Sequence, residues 1–216
     1  MKLEVSHISK RIKTRLILDD ISLSLESGNV YGIVGRNGSG KTMLFRALSG
    51  LMRVDSGAIY CNGKKLHTDI DVLPNLGIML ENADLYPEYT CFKNLQLLGK
   101  INKKVDDTMI AQVMEKLGLD PQDKRTYRKY SLGMKQRAKI AQAIMESPEV
   151  LILDEPTNAL DEQGVQDVRQ IILAEKSRGT LVILASHSRE DIRCLSDTVY
   201  YMSNGHLSSE EVMGHD

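Results

Sequence analysis

The stretch Gly35-Arg36-Asn37-Gly38-Ser39-Gly40-Lys41-Thr42 decides how this 216-residue chain folds, because its spacing fits a loop that cradles phosphate. Ahead of it, Val30-Tyr31-Gly32-Ile33-Val34 reads as a buried strand, and behind it residues 43–51 read as a helix. Strand, loop and helix in that order are the context the motif requires. Glycines let the backbone turn tightly so that successive N–H groups face an anion, and the helix N-terminus adds the positive end of its dipole. Lys41 can then reach the β- and γ-phosphates, while the Thr42 hydroxyl can bind Mg²⁺. A glycine-rich turn with a stray lysine has no need of these neighbours. The expected ligand is a nucleoside triphosphate held by residues 35–42.

Working outward, Val150-Leu151-Ile152-Leu153 and Thr180-Leu181-Val182-Ile183-Leu184 are unbroken apolar runs, as parallel strands covered on both faces require. Between them Val165, Val168 and Ile172 mark a helix that Gly179 ends, which makes a βαβ crossover. Alternation at Leu3/Val5 and at Ile21/Leu23/Leu25, the second run closing at Ser27-Gly28-Asn29, predicts half-exposed strands in a small antiparallel layer. Residues 57–61 followed by Asn62-Gly63 predict a strand entering a hairpin with a type I′ turn. From about residue 86 to 145 the character turns helical. Ile110, Val113, Met114 and Leu117 fall at i, i+3, i+4 and i+7, with Asp106 or Asp107 available as a cap and Gly118 as the stop. Most methionine positions here fit a core. Val199-Tyr200-Tyr201-Met202, the turn Ser203-Asn204-Gly205 and a short acidic tail finish the chain. The expected fold is α/β, with a P-loop NTPase core on a mainly parallel sheet, an N-terminal antiparallel β layer, and a helical insert at about 86–145 within a single 1–216 domain.

The 28 basic and 29 acidic residues leave a formal charge of −1, which offers neither a nucleic-acid surface nor a polybasic membrane patch. Cys61, Cys91 and Cys194 are too scattered for a disulfide framework or a zinc site, and each is expected to be a small buried hydrophobe in a reducing compartment. No apolar stretch approaches the ~18 residues of a membrane span, and Met1-Lys2-Leu3-Glu4 does not begin a secretory signal. A soluble cytoplasmic chain is expected.

Asp154-Glu155 follows an apolar strand directly, which puts both carboxylates at the ligand-binding edge of a parallel sheet. There Asp154 can hold Mg²⁺ opposite Thr42 and Glu155 can polarise water against the γ-phosphate. Farther upstream, Tyr130-Ser131-Leu132-Gly133-Met134-Lys135-Gln136-Arg137 opens a helix with Met134, Ala138, Ala141 and Met145 on its inner face. Ser131 is a good N-cap, and a serine and glycine at a helix start also make an anion site.

With Asn158-Ala159-Leu160-Asp161 and Ser186-His187 added, five motifs stand in the order of an ATP-binding-cassette ATPase, and the chain resembles that family over essentially its whole length. The resemblance implies head-to-tail pairing, as a homodimer or with a second ATPase subunit, each ATP lying between one phosphate loop and the other subunit's signature helix. It implies that Ser131 and Gly133 contact the γ-phosphate across the interface, that Asp161 lines that interface, and that His187 contacts the γ-phosphate. It further implies MgATP as substrate and an integral-membrane permease as partner, with the ATPase peripheral on the inner face of the cell membrane. Residues from about 81 to 94 resemble the docking surface for that permease. The signature form and Leu85-Tyr86-Pro87 look most like ATPases of peptide-antibiotic, including lantibiotic, export and immunity systems.

Three departures stand out. The signature, usually Leu-Ser-Gly-Gly-Gln, is here Tyr130-Ser131-Leu132-Gly133-Met134, which keeps the serine and second glycine. Glu81 takes the place of a glutamine that contacts Mg²⁺ and the attacking water; it can ligate the ion but lacks the amide donor, and its charge favours either tighter metal binding or a raised carboxylate pKa nearby. Ile12 stands where an aromatic residue commonly stacks on adenine. Either Ile12 covers the base by dispersion, or it is core and Arg11, Arg15 or Tyr31 covers the base. A soluble cassette clamp in translation or DNA maintenance is the alternative function, disfavoured because residues 41–131 leave no room for a long coiled coil and a second cassette is absent. A P-loop kinase would leave the signature motif unexplained.

Overall fold

In the computed structural model, residues 1–81 and 83–211 are described; the end of the acidic tail, residues 212–216, lies outside them. Apolar alternation builds the first sheet. β1 (Lys2–Ile12) and β2 (Arg15–Glu26) pair antiparallel, and β4 (Ser56–Cys61) and β5 (Lys64–Lys65) complete the order β2-β1-β4-β5. Asn62 and Gly63 both have positive φ, 48° and 77°, as a type I′ turn demands.

The second sheet has six strands in the order β10-β9-β3-β8-β7-β6. They are β3 (Val30–Val34), β6 (Leu76–Met79), β7 (Val150–Asp154), β8 (Leu181–Ala185), β9 (Thr198–Ser203) and β10 (His206–Glu211). All neighbours run parallel except the β9–β10 hairpin. Every residue of β7 and β8 is buried. On β7 and β8, Val150, Ile152, Leu181 and Ile183 join the core shared with the antiparallel sheet and α1 (Lys41–Ser49). Leu151, Leu153, Val182 and Leu184 join the opposite core, shared with α2 (Cys91–Asn102), α3 (Asp107–Lys116), α4 (Leu132–Ile144) and α5 (Glu162–Ser177). Each large side chain so buried contributes about 1.5–3 kcal/mol, which is why the two-sided strands are unbroken runs.

Several expectations shift. α1 begins at Lys41, not residue 43, and ends at Ser49, where Gly50 closes it. Asp106, not Asp107, caps α3, its carboxylate accepting from the Met109 amide. Cys61 and Cys91 are buried, but Cys194 is exposed, because Ile192 and Leu195 take the core-facing positions of the short helix α6 (Arg189–Leu195). Met114 and Met145 are core, whereas Met109 is exposed. β6 carried no signal of its own. Its Gly77 is where α4 lies directly on the strand, since a Cβ there would meet the Ala143 carbonyl oxygen at 2.0 Å.

Candidate functional site

Parallel strands end at one edge of a sheet, so the loops after β3, β6, β7 and β8 converge. They enclose a cavity of about 650 Å³, a size suited to a small-molecule ligand. Its walls include Ile12, Arg36, Asn37, Gly38, Gly40, Lys41, Thr42, Glu81, Asp154, Glu155 and His187, all singled out from sequence. Gly35 and Ser39 stand behind the lining, Gly35 presenting its carbonyl to Lys41 and Ser39 lying buried with its hydroxyl oxygen unpartnered. At Gly40 the backbone turns with φ 116°, and a Cβ would meet Met202 Cε at 2.6 Å and Ile17 O at 2.9 Å, so only glycine passes there.

The Lys41 ammonium is buried and donates to Gly35 O at 2.6 Å, which satisfies the charge from within the loop. Thr42 Oγ1 donates to Asp154 Oδ2 at 2.7 Å. This pair of hard oxygen donors fits Mg²⁺, an ion that takes one or two protein oxygens and completes its shell with phosphate and water. Among the described residues no group of three His, Cys, Asp or Glu is placed to hold a metal by itself.

Glu155, only 5 % exposed, accepts from the His187 amide at 3.0 Å through Oε2, while Oε1 has no hydrogen-bond partner. Burial pushes its pKa above the usual carboxylate range and Asp154 adds to the shift, against the His187 amide, the His187 ring and Lys41. His187 Nε2 lies 2.8 Å from Asn37 Oδ1 and 3.4 Å from Glu155 Oε1, so this imidazole bridges the phosphate loop and the carboxylate. Glu155 itself sits at φ 55°, a left-handed conformation that costs a non-glycine residue on the order of 1–3 kcal/mol.

Ser131, Gly133 and Asp161 are brought together elsewhere. With Leu132, Ala159 and Leu160 they line a separate groove of about 620 Å³ that shares no residue with the first cavity. Ser131 is the N-cap of α4, its Oγ accepting from Met134 N at 3.2 Å, yet it stays exposed. Asp161 caps α5 and accepts from Arg137 Nη2 at 3.1 Å.

Of the residues weighed as base covers, Ile12 is 43 % exposed and lines the cavity, so it is not core, and Arg15 lines it too. Tyr31 is buried against Tyr200, with its hydroxyl accepting from the Glu26 amide, and Arg11 turns to the Thr14 carbonyl. Sequence reasoning missed Ile17, Met43 and Arg46 on the cavity wall, and gave Asn158, quoted within the 158–161 motif, no place there. Met43 and Arg46 share a helix face at i, i+3, the one signal that could have found them. It also missed a buried hub behind the site: Asp191, 1 % exposed, accepts from Thr157 Oγ1 at 2.6 Å, Ser186 Oγ at 3.1 Å and Arg169 Nη2 at 2.6 Å.

A phosphate loop facing a threonine–aspartate pair and a buried glutamate defines a P-loop nucleoside triphosphatase. The sequence profile of the ABC transporter family matches residues 18–158. The ABC transporter ATP-binding protein YybJ of Bacillus subtilis (strain 168) is 47% identical over 209 residues, covering 97% of this chain and 96% of its own. The lantibiotic transport ATP-binding protein SrtF of Streptococcus pyogenes is 33% identical over 209 residues, covering 97% and 90%. In fold, the dimeric post-hydrolysis state of the ATP-binding cassette MJ0796, bound to ADP and Pi, is similar at a TM-score of 0.88 and 20% identity, over 99% of this chain and 100% of that one. The chain belongs to the ABC transporter family, as an ATP-binding ATPase whose hydrolysis serves transport.

Proposed function

We propose that this chain pairs head to tail, with a second copy or a paired ATPase subunit, around two molecules of MgATP, and that closure and hydrolysis drive a separate integral-membrane permease in export. The observation that carries the reading is the separation, within one chain, of the phosphate cavity from the Ser131–Gly133–Asp161 groove. Neither is a whole site alone, and head-to-tail pairing would face one with the other.

In this account the amides of residues 35–42 and Lys41 hold the phosphates. Thr42, Asp154 and Glu81 would hold Mg²⁺, which supplies charge neutralisation at the β- and γ-oxygens. Glu155 polarises the attacking water through Oε1, which has no hydrogen-bond partner, and His187, steered by Asn37, faces the γ-phosphate. Ser131 and Gly133 of the partner close the site, Asp161 lines the interface, and Ile12 covers adenine.

No helix among the described residues is long and apolar enough to cross a membrane. The docking surface for the permease would be residues 81–94, with the ATPase on the cytoplasmic face. There Tyr86 and Tyr89 are exposed and packed edge to face, ring centroids 6.0 Å apart, and buried Asn94 clamps the Tyr86 backbone through hydrogen bonds of 2.8 and 3.0 Å. The lantibiotic transport named for SrtF supports a peptide antibiotic as cargo.

Mixing Ser131→Ala with Lys41→Ala chains tests the pairing, because it leaves one composite site intact. The mixture should exceed the summed ATPase activity of the two variants; no gain in verified heterodimers would refute pairing in trans. Purification of the tagged chain from its host should bring down a small integral-membrane protein, whereas ribosomes or DNA would point to a soluble clamp.

A further inference from the structure

Helix α4 carries two groups that face different sites. At its N-terminus stands exposed Ser131, and one turn further in stands Gln136, which is 7 % exposed and directs Nε2 at the Glu155 carbonyl oxygen, 2.7 Å away. An amide facing a carbonyl must present its NH₂ group, so the bond has one sense. That carbonyl belongs to the one residue of the carboxylate pair held in the left-handed conformation, φ 55°. On the other side the Glu155 amide donates to Ala185 O at 2.9 Å, in the residue just before Ser186-His187. The Glu155 backbone is therefore gripped from β8 by main chain and from α4 by a single buried side chain. Asn158 N, at 3.3 Å, is a weaker second donor to the same oxygen.

We infer that Gln136 is a positioning residue: it fixes the backbone of Glu155 in its own chain, and so aims the carboxylate that polarises water. The inference rests on the proposed role of Glu155 and on Ser131 reaching the partner's nucleotide. If both hold, one rigid helix joins the contact made across the dimer to the catalytic loop of the same chain. Engagement of Ser131 by the partner's ATP then bears on Glu155 through α4, which couples the two sites. Arg137, next along the helix, reinforces the link by holding Asp161.

Gln136→Met keeps the length and apolar stem of the side chain and removes the donor. The purified variant should retain ATP affinity, read with a fluorescent N-methylanthraniloyl ATP, and KM within about twofold. Its kcat should fall at least tenfold, a split that loss of packing alone would not produce. Gln136→Glu, which turns an acceptor toward the carbonyl, should do the same if the methionine variant folds poorly. In the Ser131→Ala plus Lys41→Ala mixture the working Glu155 lies in the Ser131→Ala chain. Gln136→Met should cost more of the rescued activity in that chain than in the Lys41→Ala chain. Parental kcat in both Gln136 variants, or a greater loss when the change sits in the Lys41→Ala chain, would overturn the proposal. If the mixture without Gln136→Met shows no rescue, pairing in trans falls, and the kcat of the uniform variants still decides the role of Gln136.

Discussion

Glu155 gathers several costly features in one residue. Its carboxylate is buried, its backbone is left-handed, and its pKa is raised chiefly by desolvation. Because the folded-state pKa lies above the unfolded value, ionisation penalises folding above the folded pKa, and that penalty vanishes below the usual carboxylate range. Glu155→Gln should therefore melt higher than the parent at pH 8, with the gap narrowing toward pH 5 in parallel thermal scans; a gap independent of pH would contradict a desolvated, ionised carboxylate. On the cavity wall, Ile12 is exposed. Ile12→Tyr should tighten ATP binding by about 1 kcal/mol, roughly fivefold, in nucleotide titrations. A lower melting temperature with unchanged affinity would mean that the ring overpacks and never meets the base. Residues 35–42 and Asp154-Glu155 were legible because local spacing and a preceding apolar run encode them. Gln136 and Asp191 were not, because Glu155, Thr157 and Arg169, which they bond, lie 19 to 34 residues from them and only the folded chain brings them together.

Element by element, hydrophobic pattern located β3, β7, β8 and α5, whose apolar runs or stripes must be covered. It did not isolate β6, four residues long and interrupted by Gly77, nor α6, whose apolar face is Ile192 and Leu195. Both gain their structure from neighbours. Gly77→Ala would drive a methyl into the Ala143 carbonyl and separate α4 from the sheet, so a loss of at least 1–3 kcal/mol is expected in denaturant unfolding. At the start of α3, sequence left Asp106 and Asp107 equivalent as caps. Since only Asp106 accepts from Met109 N, at 2.8 Å, Asp106→Ala should cost about 1 kcal/mol and Asp107→Ala less. Equal losses would mean that first-turn charge rather than capping sets this helix.

On the scale of the whole molecule, the sheet edge gathers the phosphate loop, Glu81, the carboxylate pair and His187 into one cavity, while the insert holds Ser131 and Gly133 in a groove of their own. The order of motifs along the chain made both halves readable, but only the folded chain shows that they line two cavities with no residue in common. The central claim is that ATP is held between two such chains and hydrolysed with Glu155 as the polarising carboxylate. Size-exclusion chromatography of Glu155→Gln with MgATP, beside a turnover assay, tests it most directly. The account predicts a shift to a dimer with MgATP and not with MgADP, ATP bound, and most turnover lost. A variant that hydrolyses ATP at the parental rate, or binds ATP tightly and stays monomeric, would contradict it.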